Sequence, residues 1–308
     1  MSGPVNTGTI AKAMYPGVKE FFGLDYKDFP KFTPQMFDVV KSERLYEELV
    51  GAAGLGLLTE KPEGQGIQYG SLMQGAVTRV TNKTYALGIQ YTQEALEDNQ
   101  YPKQLAAMSK DAGRYLARAA AKTEETLAGN FYNNAFSALG GDGVAYLSAS
   151  HPTPLGATFS NIPNVAADIS EVALEQALID IKRLKDNAGT LINLQAQSVI
   201  VPPELEFEVN RILKSVQQND SANNAINAMR TTGSFPKGII VNPYLTSAKG
   251  WFVRTDMMEG KGLVCYDRIS SDVENDNAFD TGNARFKVRF RRSFTVGDPR
   301  AWYGSAGA

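Results

Sequence analysis

The chain has 308 residues, 43% of them hydrophobic and 21% charged, enough for one large or two moderate domains with a real core. Thirty-one Lys/Arg face 33 Asp/Glu, a net charge of −2, and the first 50 residues carry six basic and seven acidic side chains, which excludes a clustered cationic arm for neutralising phosphate. One cysteine, Cys265, excludes an internal disulfide and a multi-cysteine metal centre, and one histidine, His151, excludes sites built on several histidines.

No apolar run reaches the length of a bilayer span, and Met1 to Ile10 has neither the basic nor the apolar region of a secretory signal. Folding in a reducing cytosol is the expectation.

Residues 1 to about 40 combine Pro4, Pro16, Gly17, Gly23, Pro30 and Pro34 with Phe21, Phe22, Phe29, Phe32 and Phe37. The prolines interrupt helix and ladder alike, so only short regular pieces are expected. The segment is too aromatic for a solvated tail. It reads as an extended arm that buries its rings on another subunit, or as a strap across its own domain. Gly51 to Gly75 is glycine-rich, with strand patterns around Ile67–Leu72 and Ala76–Thr81. From Thr84 to Tyr91, Tyr85, Leu87, Ile89 and Tyr91 alternate with Thr84, Ala86, Gly88 and Gln90, the period of a strand. Asn82-Lys83 is read as the turn between the last two strands. A ribbon of this kind is not stable alone in water, so it must lie on its own core or on a neighbour.

Gln100 to Ala135 reads as one helix of up to 36 residues, about 50 Å long at 1.5 Å per residue. Pro102 suits its first turn. Leu105, Met108, Ala112, Tyr115, Ala119 and Thr123 make its apolar stripe, widened by Leu116, Leu127 and Phe131. Lys110, Arg114, Arg118, Lys122, Glu124 and Glu125 fall on the other faces. A rod of that length beside a ribbon points to a spar within a larger assembly.

After a Gly140–Gly143 turn and a polar loop to Asn164, a helix is expected from Asp168, with Glu171 completing a box-like cap. Its inward face is Leu174, Ala177, Leu178, Ile181 and Leu184, and Gly189 closes it. Strands are expected at Ser198–Val201, Gly238–Val241, Trp251–Arg254 and Leu263–Tyr266. A helix presenting Leu205, Val209, Ile212 and Val216 follows Pro202-Pro203, and the whole reads as a compact α/β subdomain. In the last strand, Phe286, Val288, Phe290 and Phe294 share one face while Arg285, Lys287, Arg289 and Arg291 share the other. This strand is expected to return to the part of the chain that holds the long helix.

Signals for chemistry are sparse. His151 lies in Ser148-Ala-Ser150-His151-Pro152 without a Gly-x-Ser-x-Gly elbow, so a serine hydrolase using it is a minor alternative. Asp272, Glu274, Asp276 and Asp280 suggest a calcium loop, but Asn277 and Asn283 stand where Gly and Glu are needed, and a solvated loop is expected instead. The basic strand at 285–292 invites a nucleic-acid reading, set against a reading in which it pairs with acidic groups across an interface. Cys265, between Val264 and Tyr266, reads as a buried small hydrophobe. No cofactor or metal is expected, and no catalytic residue.

The order arm, glycine-rich ribbon, long helix, α/β subdomain and returning strand resembles the major capsid proteins of tailed bacteriophages, over nearly the whole chain. Leu147-Ser-Ala-Ser-His151-Pro152 followed by Phe159-Ser160-Asn161 is similar to a stretch of Mu-like major head subunits, as are Val199-Ile-Val201-Pro202-Pro203-Glu204-Leu205 and Phe290-Arg-Arg-Ser-Phe294 through Gly297-Asp298-Pro299-Arg300-Ala-Trp302-Tyr303-Gly304. The resemblance implies an α+β, Hong Kong 97-like fold. It divides the chain into an N-terminal arm (1–50), an extended β-hairpin loop (51–92), a peripheral domain (93–164 and 281–308) with spine helix 100–135, and an axial domain (165–280). It further implies a non-enzymatic head protein that assembles as hexamers and pentamers around double-stranded DNA. Scaffolding, portal and decoration proteins are the implied partners; assembly in the host cytoplasm and no membrane partner are also implied. There is no room for a fused scaffolding domain, so a separate scaffold, or an arm left after cleavage, is expected. An encapsulin-like nanocompartment shell is the nearest alternative. Candidate inter-subunit contacts are Phe21, Phe22, Phe29, Phe32, Lys61, Tyr69, Arg79, Lys83, Arg289 and Arg291.

Overall fold

The structure, a computed structural model, describes residues 7–53, 55–67, 69, 73–92, 94, 102–217, 226–277, 281 and 283–308. Its first element is helix α1 (Thr7–Asp28), with Pro16 inside it. The expectation of an irregular arm is therefore corrected. Pro16 removes one helical hydrogen bond, but Val18 and Phe22, four residues apart, are buried together with Ala112, Leu116 and Ala117 of a much longer helix. Burial of that face outweighs the missing bond. A single turn, α2 (Thr33–Met36), then leads to strand β1 (Asp38–Lys41).

The long helix is α3 (Pro102–Asn133), 32 residues with Pro102 at its first position. Its buried face differs from the expected stripe. Ala112, Leu116, Ala117, Ala120, Ala121, Ala128 and Tyr132 are buried, and so are Glu124 and Glu125. Tyr115 is 64% exposed, and Ala119, Thr123, Leu127 and Phe131 are only half-buried. Alanines let α1 and a sheet approach the helix closely, so the contact follows the small side chains rather than the large ones.

Strands β2 (Tyr46–Ala53) and β3 (Met73–Thr81) form a two-stranded antiparallel ribbon running from Tyr46↔Thr81 to Ala53↔Met73. Strand β4 (Lys83–Tyr91) leaves the ribbon and pairs instead with a late strand, so Asn82-Lys83 is not a hairpin turn. Asn82 is a buried pivot between two sheets. Its amide donates to Ser42 Oγ at 2.9 Å and to the Arg44 carbonyl at 3.0 Å, and its Oδ1 accepts from Ser293 Oγ at 2.8 Å. Ile67 and Tyr69 lie in no strand, and the rest of the Ile67–Leu72 expectation falls outside the described residues.

After the short pair β5 (His151–Pro152) and β6 (Thr158–Phe159), helix α4 runs from Glu171 to Arg183. Ser170 caps it by accepting from the Ala173 N–H, whereas Asp168 binds the Ala308 N–H and Lys249; the cap thus lies two residues beyond the expected one. The helix ends at Arg183, and Gly189, at φ 85°, belongs to a later turn. Strand β7 (Ala196–Val201), helices α5 (Glu206–Lys214) and α6 (Ala228–Thr232), and strands β8 (Ile239–Val241) and β9 (Trp251–Thr255) follow.

The chain closes with β10 (Leu263–Asn277), β11 (Ala284–Val296) and β12 (Trp302–Ser305). Two four-stranded sheets result, ordered β1-β10-β11-β4 and β12-β9-β7-β8. Leu263–Tyr266, expected as a short strand of the α/β subdomain, instead opens the 15-residue β10 of the other sheet. Phe286 and Val288 of β11 are buried with α1 and α3, and Phe290, on the same face, is buried and stacks on Tyr85 of β4, as the alternation requires. In the second sheet, Val199, Val201, Trp251, Val253 and Tyr303 pack under α4 and α5, while Ile200, Phe252 and Trp302 meet Tyr132 and Phe131 at the end of α3. Burial on both faces explains why β7 reads as a continuous apolar run.

Gly113 marks where α1 crosses α3: a Cβ there would stand 2.6 Å from the Val18 carbonyl oxygen. Alanine normally favours a helix over glycine by about 1 kcal/mol. Here Gly113→Ala is expected to lower the melting temperature, because the crossing must open; an unchanged or raised melting temperature in a thermal scan would contradict this packing.

Candidate assembly surface

A surface that receives or lends chain segments needs a rigid support, and a buried ionic junction supplies it. Glu124 of α3 accepts from Tyr26 of α1 at 2.7 Å, from Ser271 of β10, and from Arg292 of β11 at 2.8 Å. Arg292 Nε also donates to Asp267 at 3.0 Å, and Lys41 of β1 reaches the same carboxylate at 2.5 Å. One turn of α3 thus ties together α1, β1, β10 and β11. The adjacent Glu125 accepts from the backbone N–H groups of Phe32 (3.0 Å) and Thr33 (3.1 Å), where the N-terminus of α2 would otherwise leave donors unpaired. Sequence reading missed both glutamates because charged residues on a helix default to solvent.

Electrostatics separates the members of this junction. Burial pushes the Glu125 carboxyl above its usual range, against the lowering effect of the Phe32 and Thr33 hydrogen bonds. Burial also pushes Asp267 upward, but hydrogen bonds from Lys41 and Ser270 and the charge of Arg292 prevail, so its carboxyl titrates below the usual range. Cys265 lies nearby in the core, and burial pushes its thiol up to about 12, which makes it the inert hydrophobe its neighbours suggested.

The acidic segment expected as a loop is part of β10, and its partners are the basic residues of β11. Asp272, Glu274 and Asp276 stand opposite Arg289, Lys287 and Arg285. Lys287 pairs with Glu274 at 2.9 Å and Arg289 reaches it at 3.5 Å. Asp280 lies outside the described residues. Of the cations that invited a nucleic-acid reading, Arg285, Lys287 and Arg289 thus face acidic residues of the neighbouring strand in the same chain, while Arg291 stands opposite Ile269.

The candidate contact residues divide into two groups. Phe22 is buried, and Phe21, Phe29 and Phe32 are partly buried within this chain's own fold. Arg291 donates to the Asn82 carbonyl at 3.0 Å, and Arg79 pairs with Glu48 at 2.9 Å and covers the Tyr46 ring. Lys61, Tyr69 and Lys83 are exposed, Tyr69 to 90%. The loop beyond the ribbon adds Leu55 at 58%, Leu57 at 83% and Leu58 at 101% exposure, with Ile67 close behind. Residues 54–58 read Gly-Leu-Gly-Leu-Leu, an apolar stretch whose exposure no local pattern marks. Large apolar side chains are thus concentrated in water on this one segment.

The ribbon is braced where it leaves the body. A Cβ at Gly141 would lie 2.6 Å from the Val77 carbonyl oxygen, and one at Gly297 would press on Leu49 and the Lys261 carbonyl. His151 supports the same region. Its Nδ1 lies 2.5 Å from Asp142 Oδ2 and its Nε2 lies 3.1 Å from Asn161 Oδ1, and the buried ring stacks on Phe159. The Asn161 amide donates to the carbonyls of Tyr146 and Pro299, tying the polar loop to the C-terminal segment. Both imidazole nitrogens are engaged, so neither is free to activate a serine.

Two tests follow from this junction. Glu124→Gln leaves Arg292 buried with a weakened partner set and is expected to cost on the order of 3 kcal/mol, read by denaturant unfolding; a loss below about 0.5 kcal/mol would place the pair outside the framework. Asp267, whose carboxyl is depressed in the fold, contributes stability that is complete above about pH 4, its unfolded value, and is lost as pH falls through its folded value. Asp267→Asn is therefore expected to flatten the fall of melting temperature below pH 4; parallel curves for the two proteins would contradict this.

Comparison with known proteins fits this architecture. A model of the phage capsid protein family matches residues 75–305. No curated protein matches by sequence. Among solved structures, a virus-like particle from Pyrococcus furiosus superimposes with a TM-score of 0.54 at 10% identity, covering 94% of this chain and 98% of that one. The capsid of Myoviridae phage XM1 gives 0.54 at 12% identity, covering 91% and 93%. The bacteriophage JBD30 capsid decorated with minor capsid protein trimers gives 0.50 at 12% identity, covering 71% and 92%. The resemblance to major capsid proteins of tailed bacteriophages is borne out in family and in fold. With 231 of its residues inside the family match and an α+β, Hong Kong 97-like architecture, the chain belongs to the phage capsid protein family and is a shell protein of the virion.

Proposed function

We propose that copies of this chain assemble as hexamers and pentamers into an icosahedral shell around double-stranded DNA, with no catalytic step of their own. The observation that carries the reading is the exposure of Leu55, Leu57, Leu58, Ile67 and Tyr69 in the segment that joins the two strands of the ribbon. A lone subunit gains nothing from presenting these side chains to water. Heterologous contacts that close around symmetry axes would bury them on a neighbour. The contact set proposed here is the exposed part of the candidate group, Lys61, Tyr69 and Lys83, together with Arg79 on the ribbon and Arg289 and Arg291 on β11. Phe21, Phe22, Phe29 and Phe32 serve mainly to seat the arm.

The proposed division is arm 1–50, extended loop 51–92, peripheral domain 93–164 and 281–308, and axial domain 165–280. Strand β12 crosses this division by pairing with β9 of the α/β sheet. Assembly takes place in the host cytoplasm with a scaffolding protein and a portal, and decoration proteins would bind the finished exterior. The near-neutral chain, at −2, suits a container whose genome carries its own counterions. A nanocompartment shell is the second reading, favoured by the equal TM-score of 0.54 to the virus-like particle. The family match to phage capsid proteins weighs against it.

Electron microscopy of the chain expressed with its assembly partners is expected to show closed shells, rings or tubes; only monomers would contradict the reading. Replacing residues 55–67 with a short Gly/Ser linker is expected to abolish these particles while leaving the melting temperature within about 2 °C, since each replaced side chain is solvent-exposed. Particles formed with unchanged yield would remove the loop from assembly.

A further inference from the structure

Strand β8 is an open edge of its sheet. The order β12-β9-β7-β8 leaves two outer strands, and β12 is buried along its whole length, whereas Ile239 and Val241 of β8 are partly exposed. In the parallel pairing with β7, the Val199 N–H donates to the Gly238 carbonyl and the Asn242 N–H donates to that of Val201. The alternation of such a ladder turns the N–H and C=O groups of Ile239 and Val241 away from β7. Among the described residues no strand pairs with that side. Ile239-Ile240-Val241 carries no charge, proline or bulge of the kind that blunts an edge.

A groove runs beside this edge. Its far wall is α5, which presents Glu206, Asn210 and Leu213 on one face. The space between is an open cavity of about 410 Å³ with Met229 and Phe235 in its lining. Helix α5 begins five residues after Val201, the partner of Val241, so Glu206 stands at the Val241 end and Lys214 at the Gly238 end. From one to the other is about 12 Å of helix, the reach of about four residues of extended chain. Asn227, which opens α6, donates to Ser215 Oγ at 3.0 Å and so brings Arg230 to the Lys214 end. Both cations line the groove and both are exposed.

We infer that this edge accepts an extended segment of a partner protein as an added strand, with a carboxylate side chain set between Lys214 and Arg230. Unpaired backbone groups in a row call for another extended backbone, which a helix does not offer. Leu213, Met229 and Phe235 give an apolar side chain of that strand its seat, and the two cations select an acidic one beside it. The same edge of a second copy does not fit, because it carries its own α5 on the face of the sheet where this α5 already stands. The inference goes beyond the assembly reading and stands without it.

The test titrates the full-length chain with two fluorescent peptides, Thr-Val-Leu-Val-Asp-Thr and Thr-Val-Leu-Val-Lys-Thr, both blocked at their ends. Saturable binding of the first is expected, at least tenfold tighter than that of the second. Val241→Pro removes one outward N–H at an edge, where the ring is tolerated, and is expected to weaken binding at least tenfold. A Lys214→Glu, Arg230→Glu chain, altered at two exposed positions, is expected to invert the preference between the peptides with an unchanged melting temperature. No binding of either peptide at about 1 mM would overturn the inference. So would equal affinities for the two peptides, or binding that neither variant alters. A concentration-dependent dimer that Val241→Pro abolishes would assign the edge to a second copy and overturn the partner strand.

Discussion

The contact of Glu124 with Arg292 decides the arrangement of everything around it. A carboxylate and a guanidinium removed from water tolerate few geometries, because each lone pair and each N–H needs a partner. Tyr26 of α1 and Ser271 of β10 complete the set around Glu124, and Asp267 of β10, itself held by Lys41 of β1, completes that around Arg292. Such a junction adds little net stability over an apolar one, but it fixes which residue of α3 faces which residue of the sheet. Small alanines elsewhere on α3 would pack in several registers; the ionic set admits one.

That fixed register governs the periphery. The sheet β1-β10-β11-β4 is anchored to α3, and Asn82 turns the chain from the sheet into the ribbon within one residue. A ribbon hung from so rigid a base projects in a defined direction, and Gly141 and Gly297 let its foot lie close against the body. The second anchor is Arg254, nearly buried, which binds Asp38 and the Gln35 carbonyl and so links the α/β sheet to β1. Shell subunits need both properties: a stiff body, and segments whose burial is completed by others.

The sequence disclosed elements according to how local their causes were. Pro102, the periodic stretch and the alternation at 285–294 depend on neighbouring residues, and a long helix from Pro102 and the late strand are present, although the helix is 32 residues long and buries a different face from the expected stripe. Tertiary causes stayed hidden. The helical arm depends on Val18 and Phe22 meeting α3, and nothing within residues 1–40 encodes that meeting. Asn82 looked like a turn because its neighbours are strands, yet their partners lie about 40 residues before and 200 after. Glu124 and Glu125 carry no local mark of burial at all. The loop leucines were readable as apolar but not as exposed, since exposure follows from where the ribbon points. The family resemblance carried the overall order because several short motifs, each weak alone, occur in sequence.

The central claim is that the chain completes the burial of its projecting loop only by joining other copies. Amide hydrogen exchange of residues 55–67, measured in dispersed subunits and in assembled particles, tests it most directly. Rapid exchange in the subunit and protection rising at least a hundredfold in the particle is the predicted result, with α3 protected in both. Equal exchange in the two states, whether fast or slow, would contradict it.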